Sequence, residues 1–139
     1  MQNRVEINEN NPKVYLAVYG TLRTGRGNWD HFLKNKSKFL GTYQTAPSYT
    51  MHTNGSYPIV VDKGETPITY ELMEVEEANV VERIHGLEGC TSGIPGNPKN
   101  WYDIKRIHND EHPDKEIYMY MMHEHPNLKI IESGNFNDN

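Results

Sequence analysis

The chain carries a single cysteine, Cys90, among its 139 residues, so no intramolecular disulfide can form. A reducing compartment is then the default. No stretch approaches the ~18 consecutive apolar residues that a membrane span requires, and the first twelve residues are too polar for a signal peptide. A cytoplasmic location without a membrane partner is therefore expected. Basic residues are in short supply: 14 Lys and Arg stand against 19 Asp and Glu, a net charge of −5. That balance argues against non-specific nucleic-acid binding, which draws on basic surface. It says little about a small ligand and does not address the oligomeric state. Internal repeats and interdomain linkers are also missing, so one domain over 1–139 is expected, with its core at about 13–136.

What the chain does have is tyrosine. Nine Tyr, three Phe and two Trp supplement a modest aliphatic content with large apolar area. A chain of this length buries about two-thirds of its unfolded surface, so no covalent staple is needed. Residues 1–12 and 133–139 are rich in Asn and charge and read as loose ends.

Between these ends, Lys13–Tyr19 reads as a buried strand. Asn28–Lys36 reads as a short helix, with Trp29, Phe32 and Leu33 on one face and Asn28 as its N-cap. Gly41–Met51 and Ile59–Val61 are strand-like, with Asn54-Gly55 as a turn between them. Ile68–Val75 is a further strand. Glu76–Gly86 reads as a helix with Val80, Ile84 and Leu87 as its buried stripe, Val81 flanking, and Glu76 and Glu77 in its first turn. Trp101–His108 and Glu116–His123 complete six strands against two short helices, an α+β pattern.

Two short elements stand out. Tyr19-Gly20-Thr21-Leu22-Arg23 ends an apolar run abruptly at glycine, with a hydroxyl residue next. Glycine there allows unusual backbone angles or a close ligand approach, and successive amides at such a turn can cradle an anion. Read alone, this is an ordinary strand exit. The second element is Gly86-Leu87-Glu88-Gly89, where Glu88, read alone, is a solvated carboxylate past a helix end.

In this order and spacing, the two elements resemble the gamma-glutamylcyclotransferase-like family, which includes AIG2-like proteins and gamma-glutamylamine cyclotransferases. Its signature is a Tyr-Gly-Ser/Thr-Leu loop followed by a Glu-Gly that carries the catalytic carboxylate. Further matches are Arg23, Gly25 and Asn28; Tyr57-Pro58-Ile59-Val60; Glu71-Leu72-Met73-Glu74-Val75; Asn100-Trp101-Tyr102; and Ser133-Gly134-Asn135-Phe136. The resemblance implies a small, mostly antiparallel β-barrel flanked by short helices, with a pocket at one end.

It also implies a reaction. The α-amine of a γ-glutamyl compound attacks its own γ-carbonyl, closes 5-oxoproline and expels the attached amine, with no cofactor. Glu88 would be the base and then the acid. A solvated Glu has a pKa of about 4.3 and is too weak a base, so partial burial would have to raise it. Tyr19, Gly20, Thr21 and Leu22 would hold the γ-glutamyl end. Tyr102, Tyr118 and Tyr120 are candidates for the leaving-group side, with core packing as the plainer reading for Tyr118 and Tyr120.

The chain departs from the family pattern at Tyr70, Cys90 and Ile104. These departures keep open a non-catalytic ligand-binding or regulatory protein that retains the pocket. Removal of a γ-glutamyl group from a carrier-bound intermediate is a third possibility. The glycine- and proline-rich stretch Cys90–Asn100 could be a lid or an inert loop.

No metal is expected. His108, Glu111 and His112 fit an inverted zinc-protease spacing, but that pattern needs a helix. Here it follows a strand and ends at Pro113. His123 and His125 lack a third ligand. Cys90 has no activating His placed by the sequence and reads as structural.

Overall fold

In a strand, successive side chains point to opposite faces, and the first strand of this protein buries both. In the computed structural model, which describes residues 4–90 and 92–136, β1 (Val14–Val18) sits at the centre of a five-stranded sheet. Leu16 and Val18 face one apolar core, and Ala17 and Tyr19 face a second. The sheet order is β2 (Ser37–Gln44), β5 (Thr69–Val75), β1, β7 (Ile117–Met121), β6 (Asp103–Ile107). All neighbours are antiparallel except β1 and β7, which run parallel with Leu16 opposite Tyr118.

A second sheet holds β4 (Pro58–Thr66), β3 (Tyr49–Thr53) and β8 (Lys129–Ile130) in that order, again antiparallel. A single parallel bridge, Val61 to Met122, joins the two sheets. Among the described residues this is a two-sheet α+β arrangement, and no closed barrel forms. The expected strand Gly41–Met51 is divided between the two sheets. Ala46-Pro47 falls in the break, and a proline has no amide to give to a continuous ladder.

One core lies under helix α1 (Ala78–Leu87), which contributes Val80, Val81 and Ile84. The expected stripe was too long by one residue, because Leu87 stays exposed. Glu76 and Glu77 lie outside the first turn: the backbone of Glu77 is still extended, and its side chain caps nothing. Residues 29–33 form one π-helical turn, Trp29–Leu33, with Leu33 fully buried. Asn28 makes no side-chain cap; its amide is used elsewhere, as described below.

The ends are tied down within the described residues, contrary to the loose ends read from composition. Val5 is buried, and its amide donates to Gly93 O at 2.7 Å. Arg4 pairs with Glu82, with Nη1 to Oε2 at 2.6 Å. Ile131 and Phe136 are buried in the second core, and Thr69 N donates to Gly134 O at 2.9 Å. Residues 1–3 and 137–139, part of the same expectation, lie outside the described residues, as does Thr91. No helix of the described residues is long and apolar enough to cross a membrane.

Candidate active site

Helix α1 ends in a way that fixes Glu88. Glu88 is the C-cap, and Gly89 follows in the left-handed region at φ 68°. Cys90 N donates to His85 O at 2.8 Å, and Gly89 N to Gly86 O at 3.3 Å. This pair of bonds is the Schellman closure, which satisfies carbonyls otherwise orphaned at a helix end. Gly89 is also pressed against the aromatic segment: a Cβ there would lie 2.9 Å from Trp101 Cβ, and Trp101 N donates to Gly89 O at 2.8 Å. The backbone thus sets Glu88 between the helix end and Trp101-Tyr102.

The loop after β1 is fixed from the other side. Gly20 is not in the left-handed region; what it supplies is room, since a Cβ would lie 2.8 Å from the Pro58 ring. Arg23 N donates to Gly20 O, and Trp29 N to Thr21 O, each at 3.0 Å. Asn28 Nδ2 donates to Thr21 Oγ1 at 2.6 Å. Among the described residues, no backbone carbonyl accepts from the amides of Thr21 or Leu22.

Beneath the loop, a buried ion pair joins Arg23 Nε to Glu71 Oε2 at 3.0 Å. Glu71 Oε1 also accepts from Thr24 N at 2.8 Å, and Arg23 Nη1 donates to Asn135 Oδ1 at 2.9 Å. β1, β5 and the C-terminal segment therefore grip the loop together.

These parts surround one cavity of about 330 Å³, a size that suits a small molecule. Tyr19, Gly20, Thr21, Leu22 and Glu88 all line it, with Asn28, Tyr57, Pro58, Trp101, Tyr102 and Tyr120. Glu88 is half-buried on the cavity wall, and desolvation alone pushes its carboxyl pKa up to about 7. The negative end of the α1 dipole acts in the same direction.

Tyr118 does not line this cavity. It shares a sheet face with Tyr120 but lies two residues back along β7, level with Leu16, beside a separate cleft with Lys13 and Glu116. Two residues of strand are ~6.6 Å of rise, which takes its ring away from the cavity end of β1.

Tyr120 has a fixed hydrogen-bond polarity. His85 Nε2 must donate to the Val5 carbonyl, at 2.7 Å, because a carbonyl only accepts. Burial holds the His85 pKa below its usual value, although that hydrogen bond opposes the shift, so the ring is neutral and Nδ1 is an acceptor. The Tyr120 hydroxyl therefore donates to Nδ1 at 2.6 Å. Its lone pairs remain open to a donor. Tyr19 spends its hydroxyl on Tyr120 O at 2.8 Å, so it builds the cavity wall.

The three departures from the family pattern all lie off the cavity. Tyr70 is buried in the second core, where it accepts from Asn109 Nδ2 at 2.8 Å. Ile104 and Cys90 are fully buried, and burial first of all pushes the Cys90 thiol up to about 11. The stretch after Cys90 is a bracket: Gly96 N donates to Asp103 Oδ1 at 2.8 Å, Ser92 Oγ to Asn100 Oδ1 at 2.7 Å, and none of its described residues lines the cavity. A lid role for it finds no support there.

No group of three or more His, Cys, Asp or Glu among the described residues could hold a metal ion. His108 pairs with Asp110 and His112 with Tyr43, while His123 and His125 diverge to Asp103 and His52.

The arrangement defines a small α+β protein whose ligand cavity is built around one carboxylate and one glycine loop. Residues 16–138 match the family model described as gamma-glutamyl cyclotransferase, AIG2-like, and the chain belongs to that family. A provisionally named gamma-glutamylcyclotransferase of Methanocaldococcus jannaschii is 32% identical over 126 residues, covering 89% of this chain and 96% of that one. An uncharacterized protein of Pyrococcus horikoshii has a similar crystal structure, with TM-score 0.68, 27% identity, and 90% and 91% of the two chains covered. An AIG2-like protein of Mus musculus shares the fold at TM-score 0.62 and 22% identity, with 87% of each chain covered. Family membership supports a cyclotransferase-type function.

Proposed function

We propose that this protein cyclises the γ-glutamyl group of an amine or small peptide to 5-oxoproline. One observation carries the reading: a half-buried carboxylate, its pKa raised to about 7, shares a small cavity with the amide-bearing loop Tyr19–Leu22. A base with a pKa near the working pH combines enough ionised form with enough basicity.

In this reading the glutamyl α-carboxylate lies on the free amides of Thr21 and Leu22. The α-ammonium lies between Glu88 and the lone pairs of Tyr120. Glu88 takes one ammonium proton, and the freed nitrogen forms a bond to the γ-carbonyl carbon. Glu88 then returns the proton to the leaving nitrogen, whose bond to that carbon breaks. The second proton of the ring nitrogen passes through Glu88 to the released amine, so the products are 5-oxoproline and the amine as its ammonium ion. The atoms balance without water, oxidant or cofactor. Most of the rate gain comes from holding amine and carbonyl together, where effective molarities reach ~10⁵ M or more in well-oriented systems. The departures that kept a non-catalytic reading open are packed away from this cavity and no longer favour it.

The test is 5-oxoproline release, followed by mass spectrometry, from a panel of γ-glutamyl conjugates. Wild type is expected to form product. Glu88→Gln keeps the shape of the side chain and is expected to lose about 10²–10⁴-fold in kcat. Full turnover by that variant would remove Glu88 from the mechanism.

A further inference from the structure

Cyclisation uses the inner part of the cavity. The outer part has a chemistry of its own. Leu87, Tyr57 and Trp101 line the cavity, yet they remain 43%, 38% and 60% exposed. Among the described residues they are three of the six large hydrophobic side chains left exposed; the other three, Phe39, Leu128 and Ile130, lie elsewhere. Each is held in place by backbone. Leu87 is the last residue of α1. Tyr57 N donates to Asn54 Oδ1 at 3.1 Å, and Tyr57 O accepts from Thr53 Oγ1 at 2.9 Å. Trp101 is fixed through Gly89 and meets Tyr102 edge-on at 4.8 Å between ring centroids. Exposed apolar side chains gathered at one cavity mark a surface that gains by being covered.

Charge points the same way. No Lys or Arg lines the cavity among the described residues, and its one carboxylate is Glu88. A leaving amine that carries its own carboxylate, as an amino acid does, would set that charge against the apolar rim and meet no cation.

The structure assigns the leaving half of the substrate to an apolar, aromatic amine without a carboxylate, selected by Leu87, Tyr57 and Trp101. This rests on the cyclotransferase reading only in placing the glutamyl half inside. An aryl ring is favoured over a linear alkyl chain because it can lie against the Trp101 and Tyr57 rings, and aromatic pairs gain beyond their buried area.

The test is binding to Glu88→Gln, measured by calorimetry, with γ-glutamyl-2-phenylethylamide, γ-glutamyl-methylamide, γ-glutamyl-alanine and the ε-lysine conjugate, alongside wild-type turnover of each. The phenylethylamide is expected to bind about 10-fold or more tighter than either conjugate that bears a carboxylate. Adding Trp101→Ala should shrink the ratio of phenylethylamide to methylamide affinity several-fold. Adding Phe39→Ser, at an exposed apolar residue away from the cavity, should leave that ratio unchanged.

Equal or tighter binding of the alanine or lysine conjugate overturns the assignment, as does a ratio indifferent to Trp101→Ala. The two readings fail separately. Turnover that favours the carboxylate conjugates defeats the rim and keeps the catalysis. The expected binding order without any 5-oxoproline defeats the catalysis and keeps the rim. No binding of any conjugate defeats both.

Discussion

Glu88 and Arg23 are both charged groups withdrawn from water, and they show how differently burial acts with and without a partner. Glu88 has none among the described residues, so burial moves its pKa up to about 7. Arg23 is paired and hydrogen-bonded to Glu71 and Asn135. Removing one partner of such a pair strands the other, at a cost of about 3–5 kcal/mol. Arg23→Met is therefore expected to lower unfolding stability by about 3 kcal/mol in urea titrations, with the m-value unchanged. A loss under ~1 kcal/mol would mean that Thr24 N alone satisfies Glu71.

At this scale the sequence showed Glu88 and the Tyr19–Leu22 loop through motif order. It did not show the Arg23–Glu71–Asn135 grip, whose members lie 48 and 112 positions apart. Tyr57, Asn28 and Trp101 were visible as motif members, but their place in the cavity was not. His85 carried no signal beyond standing one helical turn before Glu88.

At the level of elements, apolar runs marked β1, β5, β6 and β7, which are buried along most of their length, and helical spacing marked α1, which buries one face. The apolar pattern misread Gly41–Met51 as continuous, since apolar residues on both sides of Pro47 serve different sheets. The most consequential element end is the Schellman closure of α1. Gly89→Ala would place a Cβ at φ 68° and against Trp101. It is expected to cost about 1–2 kcal/mol for the left-handed backbone, and more where Trp101 cannot move. Because Glu88 is the neighbouring cap, kcat for 5-oxoproline release should fall together with stability. Loss of stability with kcat intact would show that Glu88 is placed without the closure.

Across the whole molecule, the two sheets are fastened on one side through His123. It bonds Asp103 Oδ2 at 2.7 Å, at the start of β6, and Asp62 Oδ2 at 3.0 Å, on β4. The Asp103 hydrogen bond raises the His123 pKa above its usual value; burial, next in size, opposes it, and the Asp62 hydrogen bond and the two carboxylate charges add to the rise. A raised histidine stabilises the fold fully below its unfolded pKa, and that contribution disappears as pH rises through the folded pKa. The stability difference between wild type and His123→Gln is thus expected to be larger at pH 5.5 than at pH 8.5, measured by chemical denaturation. A difference that is constant over that range would mean that the ring bonds the carboxylates while neutral.

None of this fastening was legible in the sequence. It joins residues 20 and 61 positions apart, from both sheets. The α+β class was legible; the described residues form two sheets linked by one bridge, and the closed barrel implied by resemblance is not detected among them.

The most direct measurement on the central claim is the pH dependence of kcat for 5-oxoproline release by wild type. If Glu88 is the base, the rate should rise with pH through an acid limb centred at about 7, because the carboxyl must ionise before it can accept the ammonium proton. A rate already at its plateau at pH 5 would belong to an ordinary solvated carboxylate or to another group, and would contradict the assignment of Glu88.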